Sequence, residues 1–328
     1  MPIKFFIIIL SSLLTPIAWA TTPLQTDVDN AEEYVLVDQR IFSPLIPFEI
    51  PDDQATLGQK LFSDPLLSID QSISCEHCHL KHYGYGLNTP LTHDRFGKLS
   101  MLNSPGIAYS SLLLYQNWSG KFATLERHFD AVLTNPKVMG MNWPELIERL
   151  AKHEEYPALF HKANYTDVDK ASITDAVVSY MKSLTQPSRF DAYLLGDIQR
   201  LSQQEKAGLK KFKHFGCVSC HQGVALGGNL RQKLGVIRHY IPDEERDFPR
   251  HQGFYAVTKQ ARDKHVFRVP GLRNVALTAP YFHDGSAESL EDAIHIMFRY
   301  QLGIEPQPQD LADIAAFLNS LTGIPYEQ

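Results

Sequence analysis

The stretch Cys75-Glu-His-Cys78-His79 is repeated in pattern as Cys217-Val-Ser-Cys220-His221, and the two copies contain all four cysteines of the chain. A Cys-x-x-Cys-His run is the attachment signature of a c-type haem. Its two thiols bond covalently to the porphyrin, and its histidine is the proximal ligand of the iron. The two copies therefore predict two covalently bound haem c groups, one in each half of the chain.

Two other sites use paired cysteines, a zinc ribbon and a dithiol redox centre. A zinc ribbon places its pairs about 15–20 residues apart, whereas the first cysteines of these pairs are 142 residues apart (217 minus 75). A dithiol redox centre does not require a histidine directly after its second cysteine, and both copies have one. The spacing and the histidines favour the haems.

The N-terminus has the pattern of a secretory signal peptide. Lys4 precedes an apolar run over residues 5–14, and Ala18 and Ala20 form an Ala-x-Ala-like cleavage site. The run is short for a membrane span of about 20 residues, although an uncleaved anchor is the alternative. Because c-type haems are attached after export, we expect residues 1–20 to be removed and the mature protein to lie in a bacterial periplasm.

Composition narrows the function classes. The chain has 328 residues and a formal net charge of −6. No basic cluster indicates a nucleic-acid partner, and no second long apolar segment indicates a membrane span after signal cleavage. A mildly acidic surface suits a small cationic electron donor.

The hydrophobic pattern is helical. We predict a mainly α fold of two c-type cytochrome domains, each wrapped around one covalent haem. The boundary falls near Gln186-Pro-Ser188, which gives domains over residues 21–187 and 188–328. Helix starts are expected at Asp167 or Asp169, at Ser202, and at Ser286 or Ser289. The apolar stripes that support these helices are Leu125, Phe129, Val132 and Leu133; Ile173, Val177, Tyr180 and Leu184; Leu290, Ile294, Met297 and Phe298; and Leu311, Ile314, Phe317, Leu318 and Leu321.

The second half contains the most distinctive sequence segment of the chain, Phe267-Arg-Val-Pro270 followed by residues 272–285 (LRNVALTAPYFHDG). This segment resembles part of the C-terminal domain of bacterial diheme cytochrome c peroxidases. The first half is similar to the same superfamily through Gly58-Gln-Lys-Leu-Phe62, the haem motif and Asn103-Ser-Pro105. The resemblance covers nearly all of the mature chain. The superfamily also contains diheme enzymes that oxidise protein tryptophan, such as the methylamine-utilisation protein.

The resemblance implies a different task for each haem. The haem of Cys217, Cys220 and His221 would accept electrons from a small c-type cytochrome or cupredoxin, with Met297 as its second axial ligand. A methionine on an apolar helical stripe can also simply fill the core. The haem of His79, held by the other cysteine pair, would reduce hydrogen peroxide to water. Many members of the family are homodimers.

Two further sites follow from the resemblance. Trp118 matches the tryptophan that lies between the family's haems and couples them, although an ordinary core aromatic is the alternative. Asn103, Thr278 and Pro280 match the positions that hold a calcium ion between the family's domains, through one side-chain oxygen and two backbone carbonyls. Water would complete such an oxygen shell.

The sequence departs from the family at the peroxidatic pocket. The family's Asn-Pro-x-Glu-Met run reads Asn135-Pro-Lys-Val138-Met139 here, so a valine replaces the carboxylate that would move protons. Ten residues earlier, His128 replaces a glutamine and should point inward from its helix. His128 could act as the distal acid/base, ligate the iron directly, or be a satisfied core histidine.

His93 is a second distal candidate. Some members of the family ligate the resting iron with a loop histidine, and that position is Arg95 here, two residues from His93. A surface loop histidine is the simpler interpretation. Two rival functions stay open: a diheme oxidase of a protein side chain, which has tyrosine at position 297, and a diheme electron carrier or redox sensor, which Val138 favours.

Overall fold

The computed structural model describes Val35 and residues 38–323. In this part of the chain the fold is mainly helical with one two-stranded sheet, which confirms the predicted fold class. The predicted signal peptide lies outside the described residues. Within the described ranges, no helix is long and apolar enough to cross a membrane.

After a helical segment at residues 38–41, ten helices follow in chain order. They are α1 (Asp52–Ser63), α2 (Leu125–Thr134), α3 (Trp143–Ala151), α4 (Tyr156–Lys162), α5 (Lys170–Ser183), α6 (Arg189–Leu194), α7 (Gln203–His214), α8 (Tyr255–Thr258), α9 (Leu290–Ile296) and α10 (Pro308–Asn319). Strand β1 (Arg231–Lys233) pairs antiparallel with β2 (Val266–Arg268). Short 3₁₀ turns connect many of these elements.

Several helix starts follow the predicted capping rules. Asp169 caps α5 by accepting a hydrogen bond from Ser172 N, and Ser202 and Glu205 form a capping box at α7. Ser289 caps α9 in the same way. Side-chain oxygens here satisfy backbone N–H groups that have no partner within the first helical turn.

Each half of the chain is organised by the same helix pair. Helix α1 packs against α5, and α7 packs against α10. A Cβ atom on Gly58 would lie 1.9 Å from the carbonyl oxygen of Ala176, and one on Gly208 would lie 1.9 Å from that of Asp313. Glycine is therefore required at both crossings, because the helix backbones touch directly.

The same helix pairs support the two haem-motif histidines. A phenylalanine follows each crossing glycine by four residues. The ring centroids of Phe62 and His79 are 6.4 Å apart, and those of Phe212 and His221 are 6.3 Å apart. The two halves are thus one structural unit used twice.

The buried side chains form two clusters. One contains apolar residues between Leu45 and Leu184, and the other contains Phe190 to Leu321 together with Val35 and Phe42. The segment before Leu45, counted with the first half in the sequence-based division, therefore packs on the second cluster. The division into two domains at residue 187 stays a prediction.

A buried ion pair joins the chain segments where the clusters meet. Both guanidinium NH₂ groups of Arg273 donate to Asp191 at 2.7 Å, and neither side chain is more than 1% exposed. Burial raises the pKa of the Asp191 carboxyl, but hydrogen bonds from Arg273 and from the backbone N–H groups of Ser188 and Leu45 lower it further than that, so the net pKa lies below the usual value.

We expect Asp191→Ala to lower the free energy of unfolding by about 3–5 kcal/mol, because it leaves the Arg273 charge buried without a partner. Urea unfolding of the haem-loaded protein measures the effect. The control is Glu148→Ala, which removes an exposed pair with Lys152 and should leave the unfolding midpoint unchanged. Equal midpoints for the two variants would contradict a stabilising role for Asp191.

Candidate active site

The first haem motif presents its histidine in the form an iron ligand needs. Cys75–His77 is a 3₁₀ turn, and the imidazole Nδ1 of His79 lies 2.9 Å from the carbonyl oxygen of Tyr85. Burial lowers the pKa of His79, so the ring is neutral and Nδ1–H donates to that carbonyl. The Nε2 lone pair is left for a metal, as in other histidines whose second nitrogen is held by an outer partner.

The second motif repeats this arrangement. Cys217–Ser219 is again a 3₁₀ turn, and Nδ1 of His221 lies 3.1 Å from the carbonyl oxygen of Leu226. Burial lowers the pKa of His221 to about 4. Both proximal histidines are therefore neutral, and the Nδ1 of each is held by a backbone carbonyl.

The four cysteines are free thiols in the structure. Burial raises the pKa of Cys75 to about 12 and that of Cys217 to about 11. A dithiol redox centre needs the opposite shift, because its attacking thiol works as the thiolate. The thiols thus fit haem attachment better than redox chemistry.

A cavity of about 270 Å³ adjoins the second motif. Cys217, Cys220 and His221 line it, and so does Met297. The donor set, two thiols with a histidine and a thioether on one apolar cavity, fits a covalent haem with two axial ligands.

Met297 is the first residue of a π-helical turn, Met297–Leu302, that follows α9 directly. The sequence predicted a regular helical stripe through Leu290, Ile294, Met297 and Phe298. Phe298 is buried, but the wider turn changes the direction of the residues that follow. π-Helical turns are frequent at functional sites. The spacing of the apolar residues in the sequence does not predict this turn.

Trp118 lies where the two halves meet. Its indole N–H donates to the carbonyl oxygen of Asn103 at 2.8 Å, and its own carbonyl oxygen accepts from the backbone N–H of Arg268 at 2.9 Å. Trp118 also lines the cavity beside His221. The side chain of Trp118 is therefore held by the first half of the chain and its backbone by the second.

The residues predicted to hold calcium lie on the same wall. Asn103, Thr278 and Pro280 all line the cavity. The amide nitrogen of Asn103 donates to the carbonyl oxygens of Thr89 and Pro90, which fixes the orientation of its amide. The three residues thus share one cavity, and calcium binding stays a prediction.

His128 lies on α2, whose first turn is capped by Thr124. Its imidazole stacks on Phe122, with 5.2 Å between ring centroids. Burial, with smaller contributions from the nearby His79 and Arg268, lowers the pKa of His128 to about 4. Although part of its surface is exposed, the imidazole is neutral and within electrostatic range of His79.

Val138 stands where the family has its glutamate. Val138 is half-buried and packs against the first hydrophobic cluster. Arg95 Nε donates to the carbonyl oxygen of Pro136 at 2.6 Å, and Arg95 Nη1 pairs with Asp70 at 2.9 Å. His93 is exposed and its backbone pairs with Leu99, so this loop presents Arg95, not His93, to the turn that contains Val138.

Arg268 belongs to the segment of the second half that resembles the family, and the sequence predicts no role for it. The side chain is 5% exposed, and its Nε donates to the carbonyl oxygen of Asn117 at 3.1 Å. Burial lowers its pKa to about 10, so it remains charged at neutral pH. A buried arginine on the cavity wall suits an anionic group. The sequence feature that could have identified it is a charged residue between Phe267 and Val269 in an otherwise apolar segment.

Comparison with known proteins identifies the family. Residues 52–199 match the model of the di-haem cytochrome c peroxidase family. The chain is 38% identical over 273 residues to cytochrome c551 peroxidase of Nitrosomonas europaea, an alignment that covers 83% of this chain and 80% of the relative. The chain belongs to the di-haem cytochrome c peroxidase family. This confirms the predicted family and the predicted enzyme class, a peroxidase, and it supports haem c as the cofactor.

Two further relatives define the range of this likeness. The chain is 38% identical over 291 residues to cytochrome c peroxidase Ccp of Escherichia coli and covers 62% of that protein's length. A crystal structure described as a MauG-like protein associated with microbial copper homeostasis superposes with a TM-score of 0.75 and 27% identity, over 85% of this chain and 93% of that one.

Proposed function

We propose that the protein is a periplasmic diheme peroxidase that reduces hydrogen peroxide to water with electrons from a small c-type cytochrome or cupredoxin. The observation that carries this proposal is the position of His128, a half-buried imidazole that stacks on Phe122 and lies within electrostatic range of His79. Peroxide reduction requires a group that takes a proton from one peroxide oxygen and delivers it to the other, and a neutral imidazole near the haem held by His79 would do so.

The haems, when bound, supply electron transfer and the reduction of peroxide. Cys75, Cys78 and His79 would hold the first haem, and Cys217, Cys220, His221 and Met297 the second. The charge of Arg268 would pair with a haem propionate. Among the described residues, its buried guanidinium has one hydrogen-bond acceptor, the backbone carbonyl oxygen of Asn117, which it contacts through Nε.

His128 is the group that moves protons in this proposal. Its imidazole is neutral above pH of about 4, so it can accept the proton of the attacking peroxide oxygen. It then returns that proton to the leaving oxygen. Val138 cannot take over this step because its side chain has no exchangeable proton.

Trp118 is the connection between the two haem sites. Its indole N–H and backbone carbonyl are bonded to Asn103 and Arg268, one from each half. Electrons received at the site of His221 would therefore cross a rigid aromatic group on the way to His79. A calcium ion held by Asn103, Thr278 and Pro280 would stabilise the same junction.

The decisive assay measures oxidation of a reduced small c-type cytochrome by hydrogen peroxide in the presence of catalytic amounts of the haem-loaded protein. We expect peroxide-dependent turnover in the usual enzyme range, about 1–10³ s⁻¹. We expect Trp118→Phe to slow it while each haem stays attached. No turnover above the rate of free haem, with several donors, would contradict the proposal. Analytical ultracentrifugation tests the homodimer.

One observation favours a second candidate function, a diheme electron carrier or redox sensor. Val138 packs into the first hydrophobic cluster where the family has its glutamate. In that case the protein would pass electrons from donor to acceptor without consuming peroxide. The oxidase of a protein side chain is disfavoured, because position 297 is a methionine and not a tyrosine.

A further inference from the structure

Three ligand-bearing side chains converge on the cavity wall beside the second haem motif. One ligand atom each from His251, His283 and Asp284 lies within 4.8 Å of the others. The two histidines are each 2% exposed, and His283 lines the cavity. The site shares no residue with the iron ligands or with the residues predicted to hold calcium, although the backbone N–H of Asn103 donates to the carbonyl oxygen of His283 at 2.8 Å.

We propose that His251 Nδ1, His283 Nε2 and a carboxylate oxygen of Asp284 form a binding site for a divalent transition-metal ion, with zinc as its representative. Two imidazoles and one carboxylate are a common protein donor set for zinc, with the fourth position left for water. Hard ions such as calcium prefer all-oxygen sites, so the two cation sites would differ in selectivity.

The groups behind the site support this assignment. Glu245 Oε2 lies 3.1 Å from His251 Nε2, on the side of the ring away from the site. A carboxylate that accepts from the second nitrogen of a metal-bound histidine fixes the ring and makes it a better donor. Asp284 is oriented in turn, since its Oδ1 accepts from the backbone N–H and hydroxyl of Ser286.

The metal-free state accounts for the short contact between the rings. His251 Nδ1 and His283 Nε2 are 2.8 Å apart, and Arg250 Nε donates to His251 Nε2 at 2.9 Å. This arrangement places a proton on His251 Nδ1, donated to His283. A tetrahedral ion with bonds of about 2.0–2.1 Å would replace that proton and separate the nitrogens to about 3.3–3.4 Å. Binding would move the His251 N–H from Nδ1 to Nε2, where it donates to Glu245, and the Arg250 Nε–H would give up its bond to Nε2 while Arg250 keeps its pair with the same carboxylate.

Titration of Zn²⁺ into the haem-loaded protein, with calcium present in excess, tests the proposal. We expect one zinc per chain in addition to the haem iron. Affinity should be lost in His251→Gln and fall about 10–100-fold in Glu245→Gln, the usual effect of removing an outer partner. The control is His239→Gln, which removes an exposed histidine of the same half and should leave affinity unchanged.

Zinc-edge X-ray absorption of the wild-type protein is a second test. Its result does not depend on whether any variant folds. Two imidazole ligands with bonds of about 2.0–2.1 Å support the site. No zinc bound in excess calcium, a zinc shell without two imidazoles, or equal affinity in a folded His251→Gln would overturn the proposal.

Discussion

His128→Ala should lower peroxide turnover by about 10²–10⁴-fold while both haems stay attached, the range expected when a general acid/base group is removed. The expected loss is large because Val138 stands where the family has its carboxylate and cannot exchange protons. Steady-state assays with a reduced small cytochrome and a haem count per chain measure both quantities.

Two further variants separate catalysis from structure at this position. His161→Ala is the matched control, because it removes an exposed histidine from α4 in the same half and should leave turnover unchanged. Val138→Glu restores the family residue and should recover part of the activity in the His128→Ala background, provided peroxide reaches the pocket.

The spin state of the first haem identifies the alternative in which His128 is an iron ligand. In that case His128→Ala would convert a low-spin haem to a high-spin one. A variant with unchanged spin state and unchanged turnover would show that His128 is a core histidine, and the electron-carrier function would then be the better account.

Met297→Ala should lower the reduction potential of the second haem by about 0.1–0.3 V, part of the roughly 0.8 V range that axial ligands set. A thioether ligand favours ferrous iron, so its loss favours the ferric state. The spectrum of the first haem should change little. Spectroelectrochemical titration of both haems measures the shift.

Met297→Leu distinguishes ligation from core packing, because leucine keeps most of the side-chain volume without the sulfur. We expect it to lower the potential as Met297→Ala does. The exposed Met101 provides the control, since Met101→Leu should leave both potentials unchanged. A native potential in Met297→Leu would show that the methionine only fills the cavity.

What the sequence predicted well was local. The helix caps depend on a side chain and the backbone three residues later. The pattern therefore identifies Ser202 and narrows the other two to Asp167 or Asp169 and to Ser286 or Ser289, of which the structure uses Asp169 and Ser289. The haem motifs are equally local, because two thiols and a histidine within five residues have few other uses. These features account for the helices and for the positions of His79 and His221.

The features that were missed arise from tertiary contacts. His251 and His283 are 32 residues apart, and no periodicity links them. The charge of Arg268 is buried because β2 passes Trp118. The π-helical turn at Met297 and the packing of Phe42 on the second cluster likewise depend on distant parts of the chain.

The pyridine haemochrome assay on the purified mature protein tests the central claim, that this chain is a diheme enzyme built from one unit used twice. We predict two haems per chain, retained after denaturation, and one in each of His79→Gly and His221→Gly if the lost ligand prevents attachment. One haem per chain in the wild-type protein, or zinc in place of iron at either cysteine pair, would contradict the account.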